Sequence, residues 1–294
     1  MRASAQAELD TEEQPAPGAG STAPEPHMSS VLGKAHLVLG AFSSGSTCLG
    51  LSELSRRSGV PKATVHRLGT ELVQLGYLSR TPDGYQLGWR IFELGRLVPG
   101  PAHLRAVARP AMLDLRAATQ AVVHLAVPHG TDCCYLERLG GRREAAVVAA
   151  VGSNVSRVLT VSGRVLLAYS DDQEDVIADL EAQRAEGLPA SDRLDPVALR
   201  AELAQIRSRR WAQERESCMH GYKSFAVPIT YFGGDRVIGT ISATVPADRR
   251  DDQQLVHALL ATAADIGRGL YRQDSSRTDR ADRTDARPGV GMAG

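Results

Sequence analysis

Residues 51–87 read LSELSRRSGVPKATVHRLGTELVQLGYLSRTPDGYQL, and this stretch decides the fold of the amino-terminal part of the chain. Ser52 is a suitable N-cap for a short helix, which ends near Gly59 because glycine readily adopts the left-handed conformation of a helix end. Pro61 suits the first turn of a second helix, since an N–H would have no partner there. That helix runs to about Leu75, so the pattern predicts two helices joined by a tight turn.

A hairpin follows these helices, and another helix precedes them. Gly76 supplies a left-handed helix end, and residues 77–87 alternate as a β-hairpin does around the turn Thr81–Gly84. Upstream, apolar residues recur at helical spacing over Val31–Phe42. Three helices and a hairpin predict a winged helix-turn-helix, which we expect to occupy residues 29–90.

The second helix of the pair has an apolar side and a polar side. An α-helix fits the major groove of DNA and presents its amino-terminal residues to the base edges, so the polar side is a candidate DNA-reading surface. The apolar residues are expected to pack on the preceding helices, and they are Val65, Leu68, Leu72 and Leu75.

The polar residues suit distinct contacts with DNA. Arg67 can donate two hydrogen bonds to guanine, and Thr64 can contact a phosphate or a thymine methyl group. Lys62 and the free N–H groups of the helix start suit phosphate, and Arg80 in the hairpin would lie against the backbone or the minor groove. The predicted DNA-binding residues are Ser52, Lys62, Ala63, Thr64, His66, Arg67, Thr70 and Arg80.

Positive charge is concentrated in this segment. Residues 29–90 carry seven Lys or Arg and three Asp or Glu, a net charge of +4, whereas residues 101–272 carry 21 groups of each sign. A polyanion-binding module needs such a local excess. A helical trio that merely exposes a polar face is the structural alternative, but the helix spacing and the hairpin together favour DNA binding.

The rest of the chain predicts an α+β domain with an antiparallel sheet. Residues 91–101 are expected to form a linker helix that Pro99-Gly100-Pro101 ends, and residues 102–272 the second domain. The predicted strands are Ala121–Val127, Cys133–Leu139, Ala145–Val151, Ser224–Ile229 and Val237–Val245. The predicted helices include a stripe from Leu104 that bends or restarts at Pro110, then Gly163–Tyr169, Asp171–Arg184, Asp195–Arg209 and a last helix through Leu255–Leu270.

The stretch Leu51–Leu68 resembles the helix-turn-helix of IclR-type regulators, and shorter similarities recur in order as far as Ala226-Val227-Pro228-Ile229. The resemblance covers roughly residues 29–272. It implies a winged helix plus a GAF-like effector-binding domain, assembled as a homodimer or a dimer of dimers, that represses or activates operons in response to small organic acids or aromatic metabolites. Gly69 departs from the family, which usually has an apolar helix former there, and we interpret it as a tolerated substitution.

An anion site is predicted around a helix start near Thr160. Ser162 is a natural N-cap, and the free N–H groups of a first helical turn favour an anion, although an ordinary capped helix without a ligand fits the same spacing. The resemblance favours a ligand, because this loop matches the IclR segment that closes over the effector. Val158 stands where that family commonly has His, and Arg164 replaces a common Lys.

The resemblance also indicates which residues form the other side of the effector-binding pocket. Residues 214–221 match an acidic loop that ends in glycine, and Ser224 stands where the family often has Cys. The predicted effector-binding residues are Thr160, Ser162, Gly163, Arg164, Glu216, Ser224 and Ser242.

Residues 1–28 and 273–294 are expected to be a disordered arm and tail, and Met28 is a candidate alternative start. No apolar run is long enough to cross a bilayer, so we expect a cytoplasmic protein without membrane contact. The four cysteines lack metal-binding spacing, which predicts mostly buried free thiols and neither metal nor cofactor.

Two rival functions remain at this stage. An enzyme would have to use His124 or His129, but no catalytic motif lies near either residue. A module that passes a metabolite signal to a protein partner would not explain the basic segment. We therefore expect a non-enzymatic regulator that binds a palindromic operator in double-stranded DNA, with Val31–Phe42 and Ile91–Val98 as dimer elements.

Overall fold

The computed structural model describes residues 29–42, 46–140, 150–185, 195–216, 220–232 and 234–285. The chain divides into two compact units, Met1–Glu93 and Leu94–Gly294. The expected arm at residues 1–28 lies outside the described residues.

The first unit is a winged helix-turn-helix. Its helices are α1 (Val31–Gly40), α2 (Leu51–Ser58), α3 (Lys62–Gln74) and the start of α4 (Trp89–Arg96), and its strands are β1 (Cys48–Leu49), β2 (Leu78–Thr81) and β3 (Gly84–Leu87). The strands form an antiparallel sheet in the order β1-β3-β2. The predicted three helices and hairpin are confirmed, and β1 is an addition because two residues carry too little pattern to predict a strand.

One cluster of buried side chains holds this unit together. It takes Val38 from α1, Leu54 from α2 and Val65 from α3, and joins them to Tyr85 of the hairpin. Full burial of each such side chain contributes about 1.5–3 kcal/mol to folding. Leu75 does not join them: it is 63% exposed, because α3 ends at Gln74 and the chain turns away at the left-handed Gly76.

The helix α2 begins two residues earlier than an N-cap at Ser52 predicts. Gly50 is its N-cap, and Ser52 lies inside the first turn, so the predicted N-cap role of Ser52 is wrong. An extended glycine can precede a helix without any side-chain cap, whereas a serine hydroxyl is the stronger sequence signal. The predicted ends of both helices are confirmed, with Gly59 and Gly76 at positive φ.

Gly69 has a packing role that the sequence interpretation missed. A Cβ atom there would lie 3.1–3.2 Å from ring carbons of Tyr85 and 3.3 Å from its hydroxyl oxygen. Glycine thus lets the wing approach α3 closely, at a helix-propensity cost of about 1 kcal/mol relative to alanine.

The second unit is a six-stranded antiparallel sheet with helices on both faces. Its helices are α5 (Pro99–Thr119), α6 (Val161–Ala168), α7 (Gln173–Ala185), α8 (Pro196–Arg209) and α9 (Asp252–Asp285). Its strands are β4 (Val122–His129), β5 (Asp132–Leu139), β6 (Asn154–Ser156), β7 (Ala212–Arg215), β8 (Tyr222–Thr230) and β9 (Val237–Pro246), in the order β6-β5-β4-β9-β8-β7.

The predicted α+β fold is confirmed, with two short edge strands added. β6 and β7 have three and four residues, too few for a periodic signal. Most of the predicted strand Ala145–Val151 lies outside the described residues, and Val151 itself is in a turn.

The prolines near residue 100 begin a helix instead of ending one. Pro99 and Pro101 lie in the first turn of α5, where a missing N–H is harmless, and α5 then continues through Pro110 to Thr119. The expected linker helix over residues 91–101 therefore corresponds to the end of α4 and the start of α5.

The last helix extends into the expected disordered tail. α9 continues to Asp285, so that within the expected tail only residues 286–294 lie outside the described part. No glycine or proline interrupts residues 273–285, and helix propagation on a packed segment adds one hydrogen bond per residue. No helix within the described ranges is long and apolar enough to span a membrane.

Gly88 offers a test of the close packing between the wing and α3. A Cβ at Gly88 would lie 2.0 Å from the carbonyl oxygen of Gly76, so the backbone must move in Gly88→Ala. We expect a loss of about 1–3 kcal/mol in the free energy of unfolding, measured by urea denaturation. Gly40→Ala is the matched control, because nothing lies within 4 Å of its Cβ position. Equal stability of the two variants would contradict this packing.

Candidate DNA-binding surface and effector site

A tight turn fixes the angle between α2 and α3. Gly59 adopts φ +67° after α2, and the Ser55 hydroxyl donates a 2.7 Å hydrogen bond to the carbonyl oxygen of Val60. The Ser58 hydroxyl donates to Leu54 O at 2.6 Å and accepts from the backbone N–H of Val60 at 3.3 Å. These bonds satisfy the polar groups of the turn, so the turn holds the start of α3 in one position.

The structure brings the predicted DNA-binding residues of α3 onto its solvent-exposed side. The opposite side is anchored by Val65, Leu68 and Leu72, all of which are buried. The predicted residues on the solvent side are Lys62, Ala63, His66, Arg67 and Thr70, which are exposed, and Thr64, which is half-buried.

Two of these side chains already have partners that DNA would have to replace. The ammonium group of Lys62 donates to the Ser52 hydroxyl at 2.8 Å, which places Ser52 beside the helix start. Arg67 forms a 3.1 Å ion pair with Glu71 one turn later, and both side chains are largely exposed. Exposed pairs of this spacing contribute only about 0.2–0.5 kcal/mol to stability, so Arg67 can exchange Glu71 for a base edge at little cost.

The wing arginine is held by an aromatic residue that sequence analysis did not connect with it. Arg80 donates to the hydroxyl of Tyr85 at 2.9 Å, and its guanidinium carbon lies 5.0 Å from the ring centroid. Gly69 was the available signal, since it opens the space that the Tyr85 ring fills. The side chain of Tyr85 therefore lies between Arg80 of the wing and Gly69 of α3.

The two arginines of α2 share one carboxylate, Glu53. Hydrogen bonds from Arg56 and Arg57 lower the pKa of the Glu53 carboxyl from 4.5 to about 2. Glu53 therefore stays ionised at neutral pH and offsets part of the positive charge of α2. Two arginines against one glutamate still leave α2 with a net charge of +1, the same as α3, where Lys62 and Arg67 are set against Glu71.

The sheet of the second unit has two different faces. Side chains alternate between the faces along each strand. α5 and α9 cover the outer face, where apolar residues of β4, β8 and β9 form the largest core cluster. We call the other face, against which α6 packs together with the adjoining α7 and α8, the inner face.

The inner face carries polar residues in rows that cross the strands. The middle row runs from Arg138 on β5 through His124 on β4 and Ser242 on β9 to Ala226 on β8. Directly opposite residues in such a row have Cβ atoms about 4.5–5.5 Å apart, so neighbouring side chains touch. One flanking row contains Tyr135, Ala126 and Thr240, and the other contains Val122, Thr244 and Ser224.

His124 is buried in this face without a partner for one ring nitrogen. It is 3% exposed, and its Nε2 atom has no hydrogen-bond partner among the described residues. Burial lowers the pKa of His124 from 6.5 to about 4, and the nearby charge of Arg138 acts in the same direction. The imidazole is therefore neutral at pH 7, and its ring meets Tyr135 edge-on at 5.5 Å.

The start of α6 lies against the same face. Thr160 is the N-cap, and its hydroxyl accepts the backbone N–H of Gly163 at 3.1 Å; the predicted cap Ser162 is instead within the first turn. Burial raises the pKa of the Tyr135 phenol, and the nearby hydroxyls of Thr160 and Ser162 act in the opposite direction. Thr160 rather than Ser162 caps the helix because its backbone is extended while Ser162 is already helical.

The predicted effector residues divide into two groups. Thr160, Ser162 and the strand residues Ser224 and Ser242 line the inner face or α6 against it, and Ser224 hydrogen-bonds to the hydroxyl of Thr244 at 3.0 Å. In the second group, contacts with neighbouring residues already explain the residue type at each position; this group contains Gly163, Arg164 and Glu216.

These three contacts have clear structural reasons. A Cβ on Gly163 would lie 2.4 Å from the carbonyl oxygen of Arg157, so only glycine fits. Arg164 pairs with Glu202 at 2.9 Å and Glu214 at 3.3 Å. Glu216 is exposed with φ +54°, and its carboxylate accepts the backbone N–H of Gly221 at 3.2 Å. A direct role in effector binding stays a prediction for all seven residues.

Two family models match the chain. The IclR helix-turn-helix domain matches residues 31–82, and the model described as bacterial transcriptional regulator IclR C-terminal matches residues 100–268. The second match alone spans more than half of the chain.

Similar proteins are transcriptional regulators. The HTH-type transcriptional regulator XynR of Escherichia coli is 28% identical over 75% of this chain and 87% of its own. The Pca regulon regulatory protein of Pseudomonas putida is 26% identical over 84% and 86%. The structure of an IclR homolog complexed with 4-hydroxybenzoate from Microbacterium hydrocarbonoxydans has a TM-score of 0.72 and 28% identity, covering 82% of this chain and 99% of that one.

His124 should make stability depend on pH. Its pKa is about 4 in the folded chain and 6.5 as the ordinary value, so the unfolded chain binds a proton that the folded chain does not. Stability is therefore full above pH 6.5 and falls as the pH drops towards 4. Between pH 7 and pH 5 we expect a loss of about 2 kcal/mol from this residue.

His124→Gln should remove that part of the pH dependence, measured by urea denaturation of the full chain at both pH values. His129→Gln, at the exposed end of β4, is the control and should keep it. An identical pH dependence in all three proteins would show that His124 is not held neutral by burial.

Proposed function

The chain belongs to the IclR family of bacterial transcriptional regulators, and from this membership we propose how it binds its operator and senses its effector. Like the relatives that it matches, it is a transcriptional regulator and not an enzyme. We propose that α3 reads a palindromic operator in double-stranded DNA, and that a small organic acid bound on the inner face changes the affinity for that operator.

The exposed polar side of α3 is the observation that carries the DNA half of this proposal. Burial of Val65, Leu68 and Leu72 leaves the solvent side free to enter a major groove. Lys62 at the helix start suits a phosphate together with the first-turn N–H groups, and Arg67 suits the two acceptors of guanine. Arg80 on the wing would add a contact with the backbone.

The buried polar groups of the inner face support the effector half. His124 and Thr240 both have side-chain atoms without hydrogen-bond partners in the described structure, which is costly unless a ligand or water pairs with them. The Microbacterium homolog is complexed with 4-hydroxybenzoate. We extend from that protein only the class of ligand, a small organic acid.

Exposed apolar side chains support dimerisation. On α4, Trp89 is 70% exposed and contacts the half-exposed Phe92 in a tilted arrangement, with 4.9 Å between ring centroids, and on α1 Leu32 is also exposed. No residue of α4 is buried within one chain. A second copy that covers these residues would also provide the second reading head that a palindrome requires.

Arg67→Ala tests the proposed base contact. We expect operator binding to weaken by about 1–3 kcal/mol and discrimination at one base pair to relax, measured by fluorescence anisotropy on an operator and its point variants. Arg56→Ala is the control, since Arg56 is an exposed arginine on α2 that pairs with Glu53. If only Arg56→Ala weakened operator binding, base recognition would belong to α2 and not to α3.

Trp89→Asp tests the dimer surface. A carboxylate in an apolar interface is desolvated without a partner, so we expect the dimer dissociation constant to rise at least about tenfold in sedimentation equilibrium. Val197→Asp is the control, because Val197 on α8 is equally exposed but lies on neither proposed dimer element. A monomeric wild-type chain at micromolar concentration would contradict the dimer proposal.

A further inference from the structure

We propose that Arg138 and His124 form the carboxylate-recognising end of the effector site, so that the effector is a small monocarboxylate held by its anionic end. This inference rests on the effector half of the proposed function. The two residues face each other directly across β5 and β4, and Ser242, a predicted effector residue, is the next residue in the same row.

Arg138 stands out among the arginines of this unit. Its Nε and Nη2 atoms are buried, and they have no hydrogen-bond partner among the described residues. In contrast, Arg157 pairs with Asp172 at 3.0 Å, Arg164 pairs with Glu202 and Glu214, and Arg249 pairs with Asp251. Two buried guanidinium nitrogens without hydrogen-bond partners are costly on a half-buried side chain, and this favours an anion that binds them when the regulator binds its effector.

The neighbouring carboxylate cannot supply that anion. Glu137 precedes Arg138, but strand alternation directs it to the outer face, where Arg105 binds it at 2.9 Å and Arg109 at 3.4 Å. Its other oxygen accepts the backbone N–H of Arg138 at 3.2 Å. Glu137 is therefore occupied, and the Nε and Nη2 atoms of Arg138 on the inner face have no carboxylate partner within the described ranges.

His124 completes the recognition of one carboxylate. The imidazole is buried and neutral beside Arg138, so it can donate one hydrogen bond from a ring nitrogen but adds no second positive charge. A carboxylate that accepts from the guanidinium and from the imidazole would satisfy both orphaned groups together. The next strand adds to this face only uncharged hydroxyls, those of Thr240, Ser242 and Thr244, which suits a single carboxylate and disfavours a dianion.

The experiment compares acids with their uncharged amides on the full chain. The probes are benzoate, 4-hydroxybenzoate and lactate, each beside benzamide, 4-hydroxybenzamide and lactamide, with dissociation constants measured by isothermal titration calorimetry. We expect at least one acid to bind the wild type at least about tenfold more tightly than its amide, and Arg138→Gln to remove that preference. Arg109→Gln is the matched control, because Arg109 lies on the outer face and Glu137 keeps Arg105.

Thermal unfolding separates ligand recognition from a structural role. Without ligand, Arg138→Gln should melt at the same temperature as the wild type or higher, since it removes two buried guanidinium nitrogens that have no described partner. A lowered melting temperature together with unchanged acid binding would assign Arg138 to structure and overturn the inference.

The remaining outcomes distinguish this inference from the proposed function. If an acid binds wild type and Arg138→Gln equally, or an amide binds as tightly as its acid, the recognition by Arg138 is refuted. Acid-dependent operator affinity in that case would leave the proposed function standing. If none of the three acids binds the wild type, the inference and the acid-sensing half of the proposal both fail, whereas operator binding alone would retain the DNA half.

Discussion

Burial of one side of α3 is the constraint on which the DNA-binding half of the molecule depends. Val65, Leu68 and Leu72 can reach the core only if the helix keeps one rotation about its axis, and that rotation directs Lys62 and Arg67 into solvent. The same core includes Leu54 and Tyr85, so α2, α3 and the wing are fixed by shared contacts. The exposed polar side of α3, the candidate DNA-reading surface, is therefore a consequence of packing, and no separate interaction is needed to form it.

The sensing half follows the opposite rule, because its inner face buries polar groups that the protein itself does not satisfy. Its outer face is an ordinary apolar core between the sheet and two helices. On the inner face the cationic Arg138, the neutral His124 and the hydroxyl of Thr240 all have atoms without protein partners in the described structure. Such groups weaken a fold unless they are used, and functional sites are where proteins tolerate that cost.

Sequence analysis predicted the elements whose signals are local and redundant. The limits of α3 follow from Pro61 and Gly76, and the strands β4, β5, β8 and β9 follow from runs of alternating or apolar residues. Failures occurred where one residue decides between alternatives: Thr160 caps α6 although Ser162 is an equally good N-cap by type, and Pro99 begins α5 although proline also ends helices.

The candidate site could be predicted less well than the fold, because its important contacts are non-local. Thr160, Ser162, Ser224 and Ser242 could be proposed from a family resemblance, but the row that joins Ser242 to His124 and Arg138 depends on strand register. Register is set by tertiary packing, so His124 could be considered only as a rival catalytic residue. Tyr85 was missed in the same way, since its contacts with Arg80 and Gly69 join separate elements.

Selection of bound fragments from a random DNA library by the full chain tests the central claim most directly. If the buried side of α3 positions a base-reading surface that acts in pairs, the selected sequences will contain an inverted repeat whose half-sites are about one helical turn, or a multiple of it, apart. Bound fragments without any enriched sequence would show that α3 contacts only the phosphate backbone, and would contradict the account.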